Sequence, residues 1–300
     1  MVNVKKIKSR MGKLLLILLT FSSLQLFAQK SSNELSIYGS GGLSFLCYQS
    51  SMSPATSMGY TGELGIGFTA FVSQQCGFYF GAGLNLLNLK VKVGDLKNFS
   101  PKLTDSNNLT FDLYTTLSGY RETHKTTSVS FPIMFLFQTR GKHQWNWRKS
   151  QKVNFYAMGG VKLQLLLYRN YYAQVTTLYN AAYYTEANNW ATTQTFVGLG
   201  DFAGKDKSGK FKMGILGKVA FETGIKWRMS ESVYLYTGVY FDLGLNDPTK
   251  KFRKPVSDYT SVEQLSNLSL LSFYDSNMLV ESGIKLRIAF MKPSKIIPCR

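Results

Sequence analysis

The chain has 300 residues, 44% hydrophobic and only 17% charged, with 21 Phe and 18 Tyr. Soluble domains carry nearer a quarter charged residues, so this balance argues against an ordinary water-soluble core. The formal charge of +18 suits a solvated basic surface or anionic lipid headgroups, and no nucleic-acid motif accompanies it.

The chain opens on Lys5, Lys6, Lys8, Arg10 and Lys13 with no acid among them. Leu14 to Leu26 then reads LLLILLTFSSLQL. That run suits the h-region of a secretory signal and is short of the ~20 residues a spanning helix needs. Ala28 is small enough to precede a cut at Gln29, so 1–28 is expected to be a signal peptide and 29–300 the exported barrel. Leu26 is large for the position two residues before Ala28, and Met11 begins a complete signal by itself. The cut and the true start therefore stay open. Loss of the basic segment takes five positive charges from +18 and leaves +13. No cysteine follows the apolar run, where a lipid anchor would attach.

Past Ala28 no run reaches ~18 consecutive apolar residues. Only helices and closed barrels cross a bilayer, because backbone groups there find no water. An exported chain of this kind is soluble or a barrel, and periodicity decides between them.

Alternation starts weakly in the Gly- and Ser-rich segment Leu35–Phe45. Leu64, Ile66, Phe68, Ala70 and Val72 then oppose Glu63, Gly65, Gly67 and Thr69. From Gly77 to Val93, Phe78 through Leu86 keep phase, and the phase slips at Leu87 as a bulge would make it. Val129, Phe131, Ile133, Phe135 and Phe137 share a face, with Pro132 opposite them predicting a bulge or a break in the ladder. Val153–Leu165, Ile215–Arg228, Val233–Leu243 and Val280–Phe290 alternate cleanly. That makes eight strands.

The connections are 46–58, 73–76, 93–126, 139–152, 172–212, 229–232 and 246–276, in which long and short segments broadly alternate. Outer-membrane barrels alternate short periplasmic turns with long outer loops. The expected fold is all-β: a closed, antiparallel, up-and-down transmembrane barrel of eight strands. Its long extracellular loops are 93–126, 172–212 and 246–276. The first two exceed what a minimal barrel needs, so strand extensions or an extra hairpin, and with it ten strands, stay open.

That topology turns Glu63, Lys162, Lys218, Glu222, Lys226, Arg228, Asp242, Glu281, Lys285 and Arg287 into the barrel. An eight-stranded interior is just wide enough for side chains to fill, and each buried charge needs a partner. The two readings are an internal ion-pair network and a narrow gated pore; Lys218, Glu222, Glu281 and Lys285 are the pairs to look for first. Phe78, Phe137, Phe155, Trp227 and Phe290 fall on outward faces at periplasmic strand ends, where aromatic girdles sit. Trp145 and Trp147 lie in the turn at 139–152.

Chemistry is sparse. His124 lies in a long loop and His143 in a basic turn, neither at a spacing that makes a triad, so no catalytic residue is assigned and no enzyme is expected. Cys47, Cys76 and Cys299 fit no zinc spacing; Cys76 and Cys299 could pair in an oxidising compartment. No cofactor and no metal site is expected. The turn with Arg140, Lys142, Arg148, Lys149 and Lys152 could dock on lipid phosphates or a periplasmic partner. Lys250, Lys251, Arg253 and Lys254 could touch surface glycolipid.

Several segments together resemble a known family: the signal ending FAQ, GELGIGFTAF, GFYFGAGLNL, SVSFPIMFLFQ and ESGIKLRIAF. They are similar to the Bacteroidota-type outer-membrane β-barrels, the PorT-like and OmpA-like small barrels. The resemblance covers most of Gln29–Phe290, and it departs at MKPSKIIPCR, which runs past Phe290. It implies residence in the outer membrane and insertion by the general barrel-assembly machinery, without one activity. The expected role is structural or interaction-type in the envelope, as in a secretion or surface-assembly complex. A small porin-like gated channel is the alternative, and a loop-built barrel enzyme the second. Expected partners are outer-membrane lipid and envelope proteins, with no nucleic acid and no small-molecule substrate identified. A soluble lipocalin-like barrel is the architectural rival.

Overall fold

The computed structural model describes residues 33–49, 55–105, 107–139, 153–204, 206–210, 214–247, 257–258, 264–265 and 276–291. The signal segment, Cys299, the basic turn with His143, Trp145 and Trp147, and the basic run from Lys250 to Lys254 lie outside them. In chain order the strands are β1 (Glu34–Gln49), β2 (Ala55–Phe71), β3 (Cys76–Val93), β4 (Asp95–Thr104), β5 (Thr110–Ser118), β6 (Arg121–Gln138), β7 (Val153–Gln174) and β8 (Thr177–Tyr184). Then come β9 (Asn189–Ala191), β10 (Gly200–Ala203), β11 (Lys207–Lys210), β12 (Ile215–Arg228), β13 (Val233–Gly244), β14 (Ser257–Asp258), β15 (Gln264–Leu265) and β16 (Ser276–Met291).

Eight of these close into an antiparallel barrel in the order β1-β2-β3-β6-β7-β12-β13-β16, with β16 pairing back onto β1. Register links Glu34 to Thr69, Tyr79, Met134, Gly160, Ala220, Asp242 and Glu281. Glu281 pairs with Ser44, ten residues above Glu34 on the starting strand. A stagger of that size tilts the strands by about 40° to the barrel axis. Tight turns close two hairpins at the end where the first strand begins. In one, the Ser73 hydroxyl accepts from the Cys76 amide at 3.0 Å; in the other, the Ser230 hydroxyl accepts from the Val233 amide at 3.2 Å.

Side chains alternate in and out along each strand. Leu35, Ile37, Leu64, Ile66, Leu84, Leu86, Phe131, Ile133, Phe155, Phe221, Val239, Ile284 and Leu286 face outward and are exposed. Charged and tyrosine side chains fill the inside. In water this pattern would expose a continuous apolar surface, far beyond what soluble monomers carry. It is the pattern of a barrel that spans a bilayer.

Interior room for the large side chains comes from inward glycines. A β-carbon on Gly65 would stand 2.6 Å from Cζ and Oη of Tyr38, and one on Gly83 2.5 Å from the same oxygen. Glycine lets the tyrosine lie across the lumen at this level.

Three expectations change. The first connection contracts to residues 50–54, because β1 and β2 extend beyond 46 and 58. Leu87 marks no bulge: the β2–β3 and β3–β6 registers run through it unbroken. What changes there is the surroundings. Above Leu86 the outward positions turn polar (Asn88, Lys90, Lys92), and the inward ones turn apolar (Leu89, Val91, Val93). Pro132 makes the break in the ladder that the sequence offered: pairing lapses at Gly81 and Ala82 with no shift of register, since proline has no amide to donate. The register shift in β6–β7 lies instead between Thr127 and Ser128, opposite Leu167. The segments at 93–126 and 172–212 add no strand to the barrel circuit.

β11 pairs with the upper end of β7, and the rest forms a second sheet, ordered β4-β5-β8-β10, with β9 on β8. β4 continues β3 past Gly94, β5 leads into β6 past Gly119, and β8 continues β7 past Thr176. Hydrogen bonds carry the ladder through the bend: the Gly119 amide donates to Gly94 O at 3.1 Å and the Thr176 amide to Ser118 O at 3.0 Å. Gly119 has φ +66°, and a β-carbon there would also meet the Thr176 side chain.

The inner face of this sheet folds toward the barrel mouth. Leu96, Leu117 and Leu178 pack with Leu89, Val91, Val93, Tyr171 and Ala173 of the extended barrel strands, and Leu46 packs against them. Farther out, Phe111, Leu113 and Ala182 pack against Leu199. There Thr115 donates to Asn180 Oδ1 at 2.9 Å, and Asn180 Nδ2 donates to Gly198 O at 2.9 Å.

Candidate functional site: the charged lumen and the outer sheet

Inside the membrane-spanning part the charges stand in three tiers. At the short-turn end, Lys226 Nζ lies 2.6 Å from Glu34 Oε1 and donates to Gln138 Oε1 at 3.1 Å. Tyr236 donates to the other Glu34 oxygen at 2.5 Å, and the Lys226 ammonium lies 4.4 Å from the Tyr234 ring centre. In the middle tier Glu222 Oε1 accepts from Arg287 and from Tyr156 at 2.9 Å, and its Oε2 is ion-paired with Lys285 Nζ 2.9 Å away. The Arg287 guanidinium stacks 4.4 Å over Tyr79. In the upper tier Lys162 bridges Glu63 at 3.2 Å and Asp242 at 2.5 Å, and Lys218 meets Glu281 at 2.6 Å. Tyr38 and Ser130 both donate to Glu63 Oε1, at 2.7 and 2.5 Å.

Among the described residues the buried charges of the membrane-spanning tiers are five carboxylates (Glu34, Glu63, Glu222, Asp242, Glu281) and five cations (Lys162, Lys218, Lys226, Lys285, Arg287), with Glu122 buried above them. Each of the five carboxylates has a cation within 3.2 Å. Such pairing offsets the several kcal/mol each ion loses on leaving water. β16 supplies Glu281, Lys285 and Arg287 because positions of even spacing on a strand share one face.

Nine of the ten lumen residues singled out in the sequence are buried here. Arg228 is half-buried at the short-turn rim, where its Nε donates to Ser230 O at 3.4 Å. Sequence reasoning missed Glu34. The signal was present: with Leu35 and Ile37 facing out, Glu34, Ser36 and Tyr38 must face in.

Phe78, Phe137, Phe155, Trp227 and Phe290 lie on the outer surface near the short-turn end, between 37% and 64% exposed. Trp227 Nε1 donates to Thr237 Oγ1 at 2.9 Å. Cys47 is exposed and Cys76 half-buried, and among the described residues neither is in a disulfide.

His124 is no loop residue. It lies on β6, inward and 2% exposed, above the lipid-facing belt. Its Nε2 is 3.4 Å from Glu122 Oε1, and Tyr120 donates to the other Glu122 oxygen at 2.8 Å. Burial pushes the imidazole below its ordinary value and the Glu122 charge opposes this. The same burial, and then the Glu122 charge, push the Tyr171 hydroxyl up to about 12. The contact ties two buried side chains on one face of β6.

The outer face of the second sheet carries a row of rings. Phe99 pairs with Tyr114 across β4–β5, and Tyr183 with Trp190 across β8–β9. Ring centres are 4.9 Å apart for Phe99–Tyr114, 5.0 Å for Tyr114–Trp190 and 5.0 Å for Tyr183–Trp190. Phe99 and Trp190 are each 51% exposed. The row was not legible beforehand, because its pairing joins segments about eighty residues apart.

No family model matches the chain, and no curated protein matches it. Among solved structures it is similar to the N-terminal β-barrel domain of Pseudomonas aeruginosa OprF, at 10% identity and TM-score 0.29, covering 87% of this chain and 97% of that one. Pseudomonas aeruginosa OprG gives 11% identity and TM-score 0.31, covering 86% and 96%. Neisserial surface protein A gives 9% and 0.29, covering 85% and 96%. At those scores the likenesses carry no argument, and the description of this chain rests on its own geometry.

Proposed function

We propose that the chain is an outer-membrane protein of the small-barrel type, related to the Bacteroidota-type PorT-like barrels. Its role is structural or interactive: it meets envelope partners through the folded outer sheet, as a component of a secretion or surface-assembly complex would. The observation that carries this is the division of labour in the barrel. The outside is apolar for lipid, and the lumen charges are spent on one another. A pore needs charges left facing water and ions; here the cations of the three tiers are held by carboxylates. The elaborated part of the molecule is instead the outer sheet, with exposed rings of the type enriched at protein interfaces.

Purified protein in planar bilayers tests the reading. The expected result is a barrel that inserts and shows no stable conductance steps. Steady conductance that disappears on charge swaps at Lys218 or Glu222 would replace it with the gated-channel reading.

A further inference from the structure

We infer that the outer surface of β3, β6 and β11, just above the apolar belt, binds the phosphate groups of a phosphorylated glycolipid in the outer leaflet. The inference rests on the membrane reading above.

The outward residues of neighbouring strands line up in rows across the belt's upper edge. One row runs Tyr60, Asn88, Lys125, Asn170, Lys210; the next runs Met58, Lys90, Thr123, Tyr172, Ser208. A third sets Lys92 directly opposite Arg121. Lys90, Lys92, Arg121, Lys125 and Lys210 are all exposed. No ion pair among the described residues involves any of the five. At the margin Asp206 accepts from Tyr172 and Gln174.

Like charges directly opposite on a sheet destabilise it. A Lys92–Arg121 pair facing outward is relieved by an anion that sits between them. The lumen shows the contrast, since there each carboxylate is matched with a cation. Outside, the cations stand in a group.

Their height selects the anion. Below them on the same strands lie Leu86 and Val129, the last apolar outward residues before the polar rows. Lys90 and Lys125 stand four residues higher, about 10 Å along the axis at 3.3 Å per residue and a tilt of about 40°. Lysine stems can bend several ångströms back toward the belt while keeping the ammonium in the headgroup layer. A ligand whose acyl chains cover Leu84 and Leu86 therefore carries its phosphates at the height of these cations. Tyr60 and Asn88, joined by a 2.7 Å hydrogen bond, offer polar groups for the sugar ring at the same level.

The test uses full-length protein folded into phosphocholine vesicles containing either diphosphoryl lipid A or its dephosphorylated form. Bound lipid is measured by native mass spectrometry after detergent extraction. Expected is retention of the diphosphoryl form, with retention falling at least tenfold in Lys92→Gln/Arg121→Gln and further in Lys90→Gln/Lys125→Gln added to it. The rough scale is fivefold per basic residue near a charged surface at low salt. Equal retention of both lipid forms, or unchanged retention in the quadruple variant, overturns the inference. So does a preference of the patch for an acidic protein over the lipid in a competition assay. Failure of the wild type to insert into plain phosphocholine vesicles would instead count against the membrane reading itself.

Discussion

Lys218 Nζ lies 2.6 Å from Glu281 Oε2, and both side chains are at most 1% exposed. The two residues sit on strands separated by β13, so the pair spans the lumen wall across an intervening strand. Breaking a buried pair leaves one charge without compensation, which costs about 3–5 kcal/mol, whereas replacing both can be nearly neutral. Lys218→Met should therefore lower the unfolding free energy of the refolded barrel, measured by urea titration, by that order. Lys218→Met with Glu281→Leu should recover most of the loss. Additive losses in the double variant would show that the two do not act as a pair.

Gly65→Ala should destabilise by about 1–3 kcal/mol through overpacking, because the new methyl would displace Tyr38 from Glu63. Gly62→Ala is the matched control three residues away, where the nearest atom to a β-carbon is Ser40 O at 3.7 Å. It should be tolerated. Unfolding midpoints in the same vesicles compare the two.

His124 gives a pH dependence to the outer part of the molecule. Its folded value is lowered by burial from an ordinary 6.5. Below about pH 6.5 the unfolded segment binds a proton that the folded one resists, so stability is full above that pH and is lost as pH falls toward the folded value. Hydrogen exchange should show β4, β5 and the upper part of β6 loosening between pH 7.5 and 5.5 while the lipid-facing strands stay protected. His124→Gln should flatten that dependence.

How much of this was readable beforehand differs by region. The lumen charges on β12, β13 and β16 were legible because lipid outside and ion pairs inside impose a strict alternation, as Lys218, Glu222 and Lys226 show. That rule fails where its cause ends. At Leu87 the apolar outer belt ends: inward Leu89, Val91 and Val93 join an apolar cluster, and the outward positions turn polar. The apolar parity inverts there and imitates a bulge. The second sheet was legible only as strand extensions or an extra hairpin: β4–β5 is a local hairpin, but the ladder that joins it to β8 is non-local, as where Thr115 pairs with Asn180. His124 was placed in a loop for the same reason.

The exposed ring row should matter to partners and little to folding. Tyr114→Ala with Trp190→Ala should change stability by about 1 kcal/mol or less per residue, since ring pairs at exposed sites contribute little. The envelope proteins cross-linked to the surface of whole cells should change between wild type and variant. An identical cross-linked set would remove the row from the interaction surface.

Gel migration with and without boiling, on protein extracted from the membrane fraction in detergent, tests the transmembrane barrel most directly. The account predicts that the protein stays with the membranes until detergent is added, and that the unboiled sample migrates faster as a compact barrel and shifts on heating. Recovery from the soluble periplasm without detergent, with one mobility before and after boiling, would contradict it.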